Sequence, residues 1–505
     1  MKKHILLIAL FFNFLFASTL NLSITSSPSR INPILSNDTA SSEISQWLFN
    51  GLLKYDKDAN ITTDIAKSYY FENETKLIIK LREDVFWHDG VQVTSQDVLF
   101  TYETILNPKV FTSIASNYKE VESVKALDKF TIEIIYKKPY FKALEIWLIG
   151  LLPYHILKDD KDLMTSKFNK NPIGTGPYIL NSFKNASDII LTANKNYFKG
   201  KPKIDKIHYK FYPDPTTSFL MLKQNKLDIA SLTPIQVDRQ LNNEFYENYQ
   251  IIETTSFSYA YLGFNLNNKK FQDKKVRQAL SLAINRQELV DILYFGHAKV
   301  ANGPFLPGTF AYNEKVKPIV QDIKKAKQLL KEAGYNEKNP LSFELVTNTG
   351  NEIRVNAAQI LQHQLKQIGV EVKIRVMEWQ AFLNTVVHPR KFETVLLGWS
   401  LALTPDAYPL WHSDSTKIGR FNLVGYKNKQ LDKLIELGST TVNREKLAEI
   451  YKNIFTIISN DLPYLFLFIP NSITVVNKNI KNIEPTFIGI FHNQIDWIKE
   501  DKEKN

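Results

Sequence analysis

The side chains most able to do chemistry are thinly spread in this sequence. Its nine histidines (4, 88, 155, 208, 297, 363, 388, 412 and 492) never stand two or four residues apart. Neither a strand nor a helix therefore places two of them on one face to grip a metal ion. Cysteine is absent, which removes disulfides, thiolate metal sites, thiol nucleophiles and lipid attachment at a cysteine. The sequence holds neither a Gly-x-Ser-x-Gly elbow nor a Gly-x4-Gly-Lys-Ser/Thr loop, which argues against a serine hydrolase of that fold and against nucleotide hydrolysis. Asp56, Asp58 and Asn60 begin like a calcium loop, but Ile61 replaces the turn glycine and Lys67 the twelfth-position acid, so the match is accidental. Gly174-Thr175-Gly176-Pro177 is glycine-rich, yet Tyr178-Ile179-Leu180 behind it reads as a strand. No helix N-terminus then faces a phosphate, and the segment is expected to be a structural turn. No catalytic centre and no cofactor are expected.

One segment has the makeup of a cleft wall: Gly398 to Ser413, with Trp399, Ser400, Asp406, Tyr408, Trp411 and His412. Aromatic rings around a single charge suit a ligand pocket. Each member also has a plainer reading. Asp406 either contacts a cationic ligand group or sits in the first turn of a helix, with Thr404 as N-cap and Pro405 behind it. Trp399 either lines a cleft or packs in a core or hinge. His412 is a core or surface histidine, or else a ligand for a metal or metal chelate.

The loop follows a run of alternating elements: a strand at Phe343–Thr347, a helix at Glu352–Ile368 stopped by Gly369, an alternating strand at Val370–Val376, a short helix at Ala381–Val387 and a strand at Thr394–Leu397. This is a βαβ pattern with a parallel sheet, which binds at the carboxyl ends of its strands. Just before it, a 3.6-residue stripe runs from Asp273, a predicted N-cap, through Val276, Ala279, Leu280, Ala283 and Ile284 to a stop at Gly296. Residues 20–136 read instead as period-2 strands (Leu20/Leu22/Ile24, Leu77/Ile79/Leu81, Phe130/Ile132/Ile134) around one helix opened by Thr94 and Asp97. With no repeat and no Pro/Gly-rich linker, the parts are expected to join through short strands at a hinge.

At 505 residues and 44% hydrophobic content the chain has material for two or three domains. The net charge of +11 comes from lysines scattered among acidic residues, with only ten arginines. Base readout and phosphate forks favour arginine, so nucleic acid is not the expected partner. Lys2 and Lys3 precede an apolar run from Ile5 to Phe16, followed by Ala17 and Ser18. That run is too short to cross a bilayer, which needs ~20 residues, but it suits a secretory leader cleaved after Ala17. The mature chain is expected in the periplasm, and not as a lipoprotein.

Several motifs together resemble family 5 of the bacterial extracellular solute-binding proteins, the peptide- and nickel-binding components of ABC importers. They are Asp64-Ile65-Ala66-Lys67-Ser68, Leu77 through Gly90 with Trp87-His88-Asp89, Thr94-Ser95-Gln96-Asp97-Val98, Pro172 through Tyr178, Phe264-Asn265 with Asp273, Val276-Arg277-Gln278-Ala279-Leu280, Ala283-Ile284-Asn285-Arg286, Glu332-Ala333-Gly334-Tyr335 and Asp461-Leu462-Pro463-Tyr464. The resemblance implies a two-lobed periplasmic binding protein-like α/β fold of class C type with an extra inserted domain. Domain I would take 18–58, 174–262 and 474–505, domain II 59–173 and domain III 263–473. It implies a ligand enclosed between domains I and III, here a short peptide or, alternatively, nickel or a nickel chelate. The implied partners are an inner-membrane permease and its ATPase subunits, with the binding protein itself a monomer. Trp87 and Asp89 would be architectural. In peptide-binding members a carboxylate shortly after the loop tryptophan pairs with the peptide α-ammonium. Here the third position is Ala402 and the nearest carboxylate is Asp406, seven residues on. Either Asp406 takes that role on a longer loop, or free α-amines are not recognised. The ligand-binding set assigned on this basis is Asp406, Trp399, Ser400, Tyr408, Asn32 and Tyr261, with His412 for the metal alternative.

Overall fold

Leu20, Leu22 and Ile24 alternate into the core on the strand Thr19–Ile24, around which half of the molecule is organised. In the computed structural model, which describes residues 18–500 apart from 37, 185, 186 and 213, this strand runs parallel to Lys206–Phe211 and Ile229–Leu232. Antiparallel strands Asp188–Ala193 and Tyr178–Lys184 extend the sheet to one edge. The expected leader and its cleavage after Ala17 lie outside the described residues.

The sheet continues into the other half through Tyr464–Asn477, a strand of 14 residues. Its second part pairs with Ile229–Leu232 and Tyr249–Thr255, and its first part with Ser258–Phe264 and Ala298–Val300. Beyond Ser258–Phe264 come Thr394–Ser400, then Ser342–Asn348, then Glu371–Met377 at the far edge. The last three are mutually parallel, and Glu352–Lys366 is the crossover helix, so the βαβ reading describes this half. The chain passes between the halves at Ser256–Phe257 and again near Pro470. There the Ser256 amide donates to the Pro470 carbonyl at 3.0 Å. Pro470 offers no amide of its own to the ladder, which thins the hydrogen bonding where the halves meet.

Apart from this sheet, four antiparallel strands form a separate layer in the order Ala66–Asn73, Lys76–Leu81, Thr131–Tyr136, Val121–Asp128. The helix Ser95–Leu106 packs on it and begins with the expected reciprocal cap, the Thr94 amide donating to Asp97 at 2.8 Å. One hydrophobic core joins this layer to the Thr19–Ile24 half, while the residues between 259 and 469 build two others. Phe141 departs from that division by burying itself among the side chains of the second half, beside Tyr451.

Local boundaries differ from the expectations after Asp273 and after Met377. The stripe from Asp273 is two helices, Lys274–Ala283 and Arg286–Tyr294, because the Asn285 side chain caps a new N-terminus by accepting from the Glu288 amide at 3.2 Å. The short helix after Glu371–Met377 starts at Trp379 and widens into a π turn over Leu383–Val387. The Gly174–Pro177 segment is a structural turn: the Gly176 amide donates to the Leu48 carbonyl at 2.8 Å, and a Cβ on Gly174 would overlap that same carbonyl.

Candidate functional site

The strand Thr394–Ser400 ends at the carboxyl edge of the parallel strands, and the chain it releases forms a cavity of about 230 Å³. Trp399, Ser400 and Asp406 line it, together with Phe305, Phe421 and Lys142. Trp399 is held from behind: its ring lies parallel to Tyr261 with centroids 6.2 Å apart, and Tyr261 stacks on Tyr464 at 3.9 Å. The indole N–H donates to the Tyr464 hydroxyl at 3.3 Å, and Phe421 meets the ring edge-on. Such a stack fixes the indole in one orientation and leaves its outer face to the cavity. Tyr261 is itself only 1% exposed. Its place is behind the wall, in the support of Trp399.

Asp406 has two partners. One carboxylate oxygen accepts from the Tyr408 amide at 3.0 Å and the other receives the Lys142 ammonium at 2.6 Å. The first bond starts the short helix Tyr408–Trp411, so the helix begins later than the Thr404–Pro405 reading placed it. The second crosses the molecule, because Lys142 follows the four-stranded layer. Tyr55 joins the same seam, its hydroxyl 2.8 Å from the Thr404 hydroxyl, as does a Glu145–Arg444 ion pair.

The other expected residues lie elsewhere. Tyr408 does not line the cavity; its ring stacks on His412 at 4.3 Å. His412 is 5% exposed and satisfied within its own half. Its Nδ1 accepts from the Asp414 amide at 3.1 Å, and Nε2 lies 3.3 Å from a Glu436 oxygen. A ring nitrogen that coordinated a metal would have to give up one of these bonds. No group of three or more His, Asp or Glu side chains suited to a metal ion occurs among the described residues. Asn32 is fully buried, its amide donating to Asn169 at 2.9 Å and its oxygen accepting from Ile34 at 3.1 Å. These bonds shape the turn that follows the strand Thr19–Ile24. Lys142, Tyr55, Phe305 and Phe421 were not among the sequence candidates. Only the exposed apolar Phe421, close behind the loop, carried a local signal; the other three join through tertiary contact.

Two further cavities open on the first half. One of about 590 Å³ runs past Phe49, Tyr55, Asp64 and Lys199, and one of about 410 Å³ lies at the carboxyl ends of Thr19–Ile24 and Ile229–Leu232; Phe491 borders both. Tyr55 carries the first of these to the Thr404 edge of the Trp399 cavity.

Comparison with known proteins agrees with this architecture. Residues 60–420 match the model of the bacterial extracellular solute-binding proteins, family 5 Middle. The oligopeptide-binding protein AppA of Bacillus subtilis is 33% identical over 473 residues, spanning 90% of this chain and 86% of that protein. The structure of AppA from Bacillus subtilis in complex with a nonapeptide superposes with a TM-score of 0.75 at 31% identity, covering 96% of this chain and 99% of the other. NikZ from Campylobacter jejuni in complex with Ni(L-His) gives 0.77 at 31% identity, covering 95% and 99%. On the breadth of the family match and the two-half fold around an aromatic-walled cleft, the chain belongs to the family 5 bacterial extracellular solute-binding proteins.

Proposed function

We propose that this protein captures short peptides between its two halves and delivers them to the permease of an ABC importer, whose ATPase subunits drive uptake. The observation that carries this reading is the double chain crossing at Ser256–Phe257 and Pro470, which joins two halves whose cavities face a common seam. Closure about two such crossings encloses a ligand without breaking either core. The relationship to AppA, solved with a nonapeptide, selects peptide as the ligand class. On the same reading, domain I comprises 18–58, 174–262 and 474–505, domain II 59–173 and domain III 263–473, and the protein works as a periplasmic monomer without catalytic activity. Trp399, Ser400 and Asp406 present the domain III side of the ligand surface, and Asp406 engages the peptide α-ammonium in competition with Lys142. Peptide main chain pairs with exposed strand edges, which gives affinity with little side-chain selectivity.

The relationship to NikZ supports a second reading, in which the cargo is nickel held by a chelator such as free histidine. Calorimetry separates the two. Peptides of three to nine residues are expected to bind and be recovered intact, whereas Ni²⁺ with free histidine gives no heat beyond that of the chelate alone. Tight binding of the nickel–histidine mixture with none of any peptide overturns the peptide reading.

A further inference from the structure

The cavity on the first half has a feature that the Trp399 wall lacks: an acidic side chain with no cation beside it. Glu43, on the helix Thr39–Leu48, borders the space of about 410 Å³ between that helix, the strand Thr19–Ile24 and the start of the helix Pro215–Lys223. Among the described residues it has no ion-pair partner, in a chain carrying 63 lysines and arginines. The rest of the lining is apolar or hydroxyl-bearing, including Ser23, Thr25, Ser231 and Thr233, and no other ionisable side chain borders it. Hydroxyl oxygens accept hydrogen bonds from an ammonium or guanidinium, so every polar group here is compatible with a cation.

Behind the carboxylate, the Trp47 indole N–H donates to the Tyr209 hydroxyl at 2.8 Å. Trp47 is fully buried, as is Tyr209. The helix N-termini nearest the cavity do not compensate the charge, because each carries its own acid: Asp38 accepts from Ser41 at 2.7 Å and Asp214 from Thr217 at 2.8 Å. Burial pushes the Glu43 carboxyl up to about 7, against the lowering effect of the nearby Tyr209 hydroxyl. An uncompensated carboxylate so arranged is stabilised when a cation arrives.

The position of the cavity connects it to transport. It opens at the carboxyl ends of the parallel strands, where α/β sheets bind ligands, and shares Phe491 with the cavity that reaches the interlobe seam at Tyr55. It extends along the strand from Leu22 to Thr25, about 10 Å at ~3.3 Å per residue, a depth for a long side chain rather than for an α-ammonium alone.

We propose that Glu43 is the specificity-determining residue of a pocket that receives the basic side chain, lysine or arginine, of the bound ligand. This rests on the peptide reading above and deepens it. The pocket would favour peptides carrying a lysine or arginine over isosteres without the charge. Because the cation favours the carboxylate, binding releases a proton near neutral pH, and the preference weakens as pH falls from 8 to 5.5 and Glu43 becomes protonated; Tyr209 remains neutral across this range.

The test uses the mature protein and tetrapeptides that differ at one position by lysine, norleucine or glutamate, each with a free and an acetylated N-terminus, titrated by calorimetry in two buffers of different ionisation heat. Wild type is expected to prefer lysine to norleucine by about 30-fold or more at pH 8, the loss that accompanies removal of one member of an enclosed charge pair. That preference should be independent of acetylation and shrink at pH 5.5, and Glu43→Gln should abolish it. The pH arm needs no variant, so the proposal stays testable should Glu43→Gln fold poorly. Equal affinity for lysine and norleucine peptides, or a lysine preference kept by Glu43→Gln, overturns the inference and leaves the peptide reading standing. A charge preference that vanishes on acetylation assigns the cation to the α-ammonium and overturns it too. Failure of every peptide to bind overturns the peptide reading, and this inference with it.

Discussion

Asp406 illustrates how one carboxylate serves two ends. Its bond to the Tyr408 amide starts a helix, and its bond to Lys142 ties the loop to the four-stranded layer. A ligand ammonium reaching Asp406 therefore displaces Lys142 instead of filling a vacancy, and the gain is the difference between two similar pairs. Asp406→Asn is expected to weaken binding of a free-amine peptide by about tenfold, less than the 2–5 kcal/mol typical of an enclosed pair, with little change for its N-acetylated form. Lys142→Met removes the competitor and should raise the preference for the free amine. Titration of both peptide forms against the two variants checks this, and a Lys142→Met protein that does not discriminate more strongly than wild type rules out competition at Asp406. The sequence showed the cleft-wall composition around Asp406. It could not show Lys142, which arrives from 264 residues away.

Among the elements, the turn Gly174–Pro177 depends on a histidine from another segment. The Gly174 amide donates to His88 Nδ1 at 3.1 Å, and His88 Nε2 lies 3.0 Å from the Gly176 carbonyl. These partners require the neutral ring with its proton on Nε2. Burial accordingly holds His88 down to about 4, below its ordinary 6.5. The unfolded chain takes up this proton near ~6.5 while the folded chain does not, so stability is complete above that pH and declines as pH falls toward 4. The decline from this one group approaches ~1.4 kcal/mol per pH unit between the two values. Urea unfolding at pH 7, 6 and 5 should show a steeper loss for wild type than for His88→Gln, and identical slopes would remove His88 from the account. The glycines were legible as a turn because their neighbours formed a strand. The histidine clasp was not, because it joins residues 86 apart in sequence.

For the whole molecule, the decisive feature is that both crossings lie in one sheet. Closure must bend the backbone at Ser256–Phe257 and around Pro470 while the flanking ladders stay intact. Saturation with a bound peptide is expected to lower the radius of gyration in small-angle scattering, since a ligand held by both halves favours the closed state by its differential affinity. An unchanged radius at saturation would falsify closure about these crossings. The seam formed by Lys142–Asp406, Tyr55–Thr404 and Glu145–Arg444, with Phe141 buried beside Tyr451, links the first half to the second away from the crossings.

Local regularities carried the early reading because they need no partner from afar. Period-2 and period-3.6 patterns placed the strands at Leu20–Ile24 and Leu77–Leu81, the capped helix at Thr94 and the βαβ run at 342–398, since each pattern records which face of an element meets a core. Motif order alone then pointed to the family. Periodicity says nothing about which distant surfaces meet. The burial of Asn32, the screening of Tyr261 behind Trp399, the Lys142 partner of Asp406 and the uncompensated carboxylate of Glu43 all depend on contacts between residues far apart in the chain. Packing and low dielectric set those roles, and both exist only once the chain has folded.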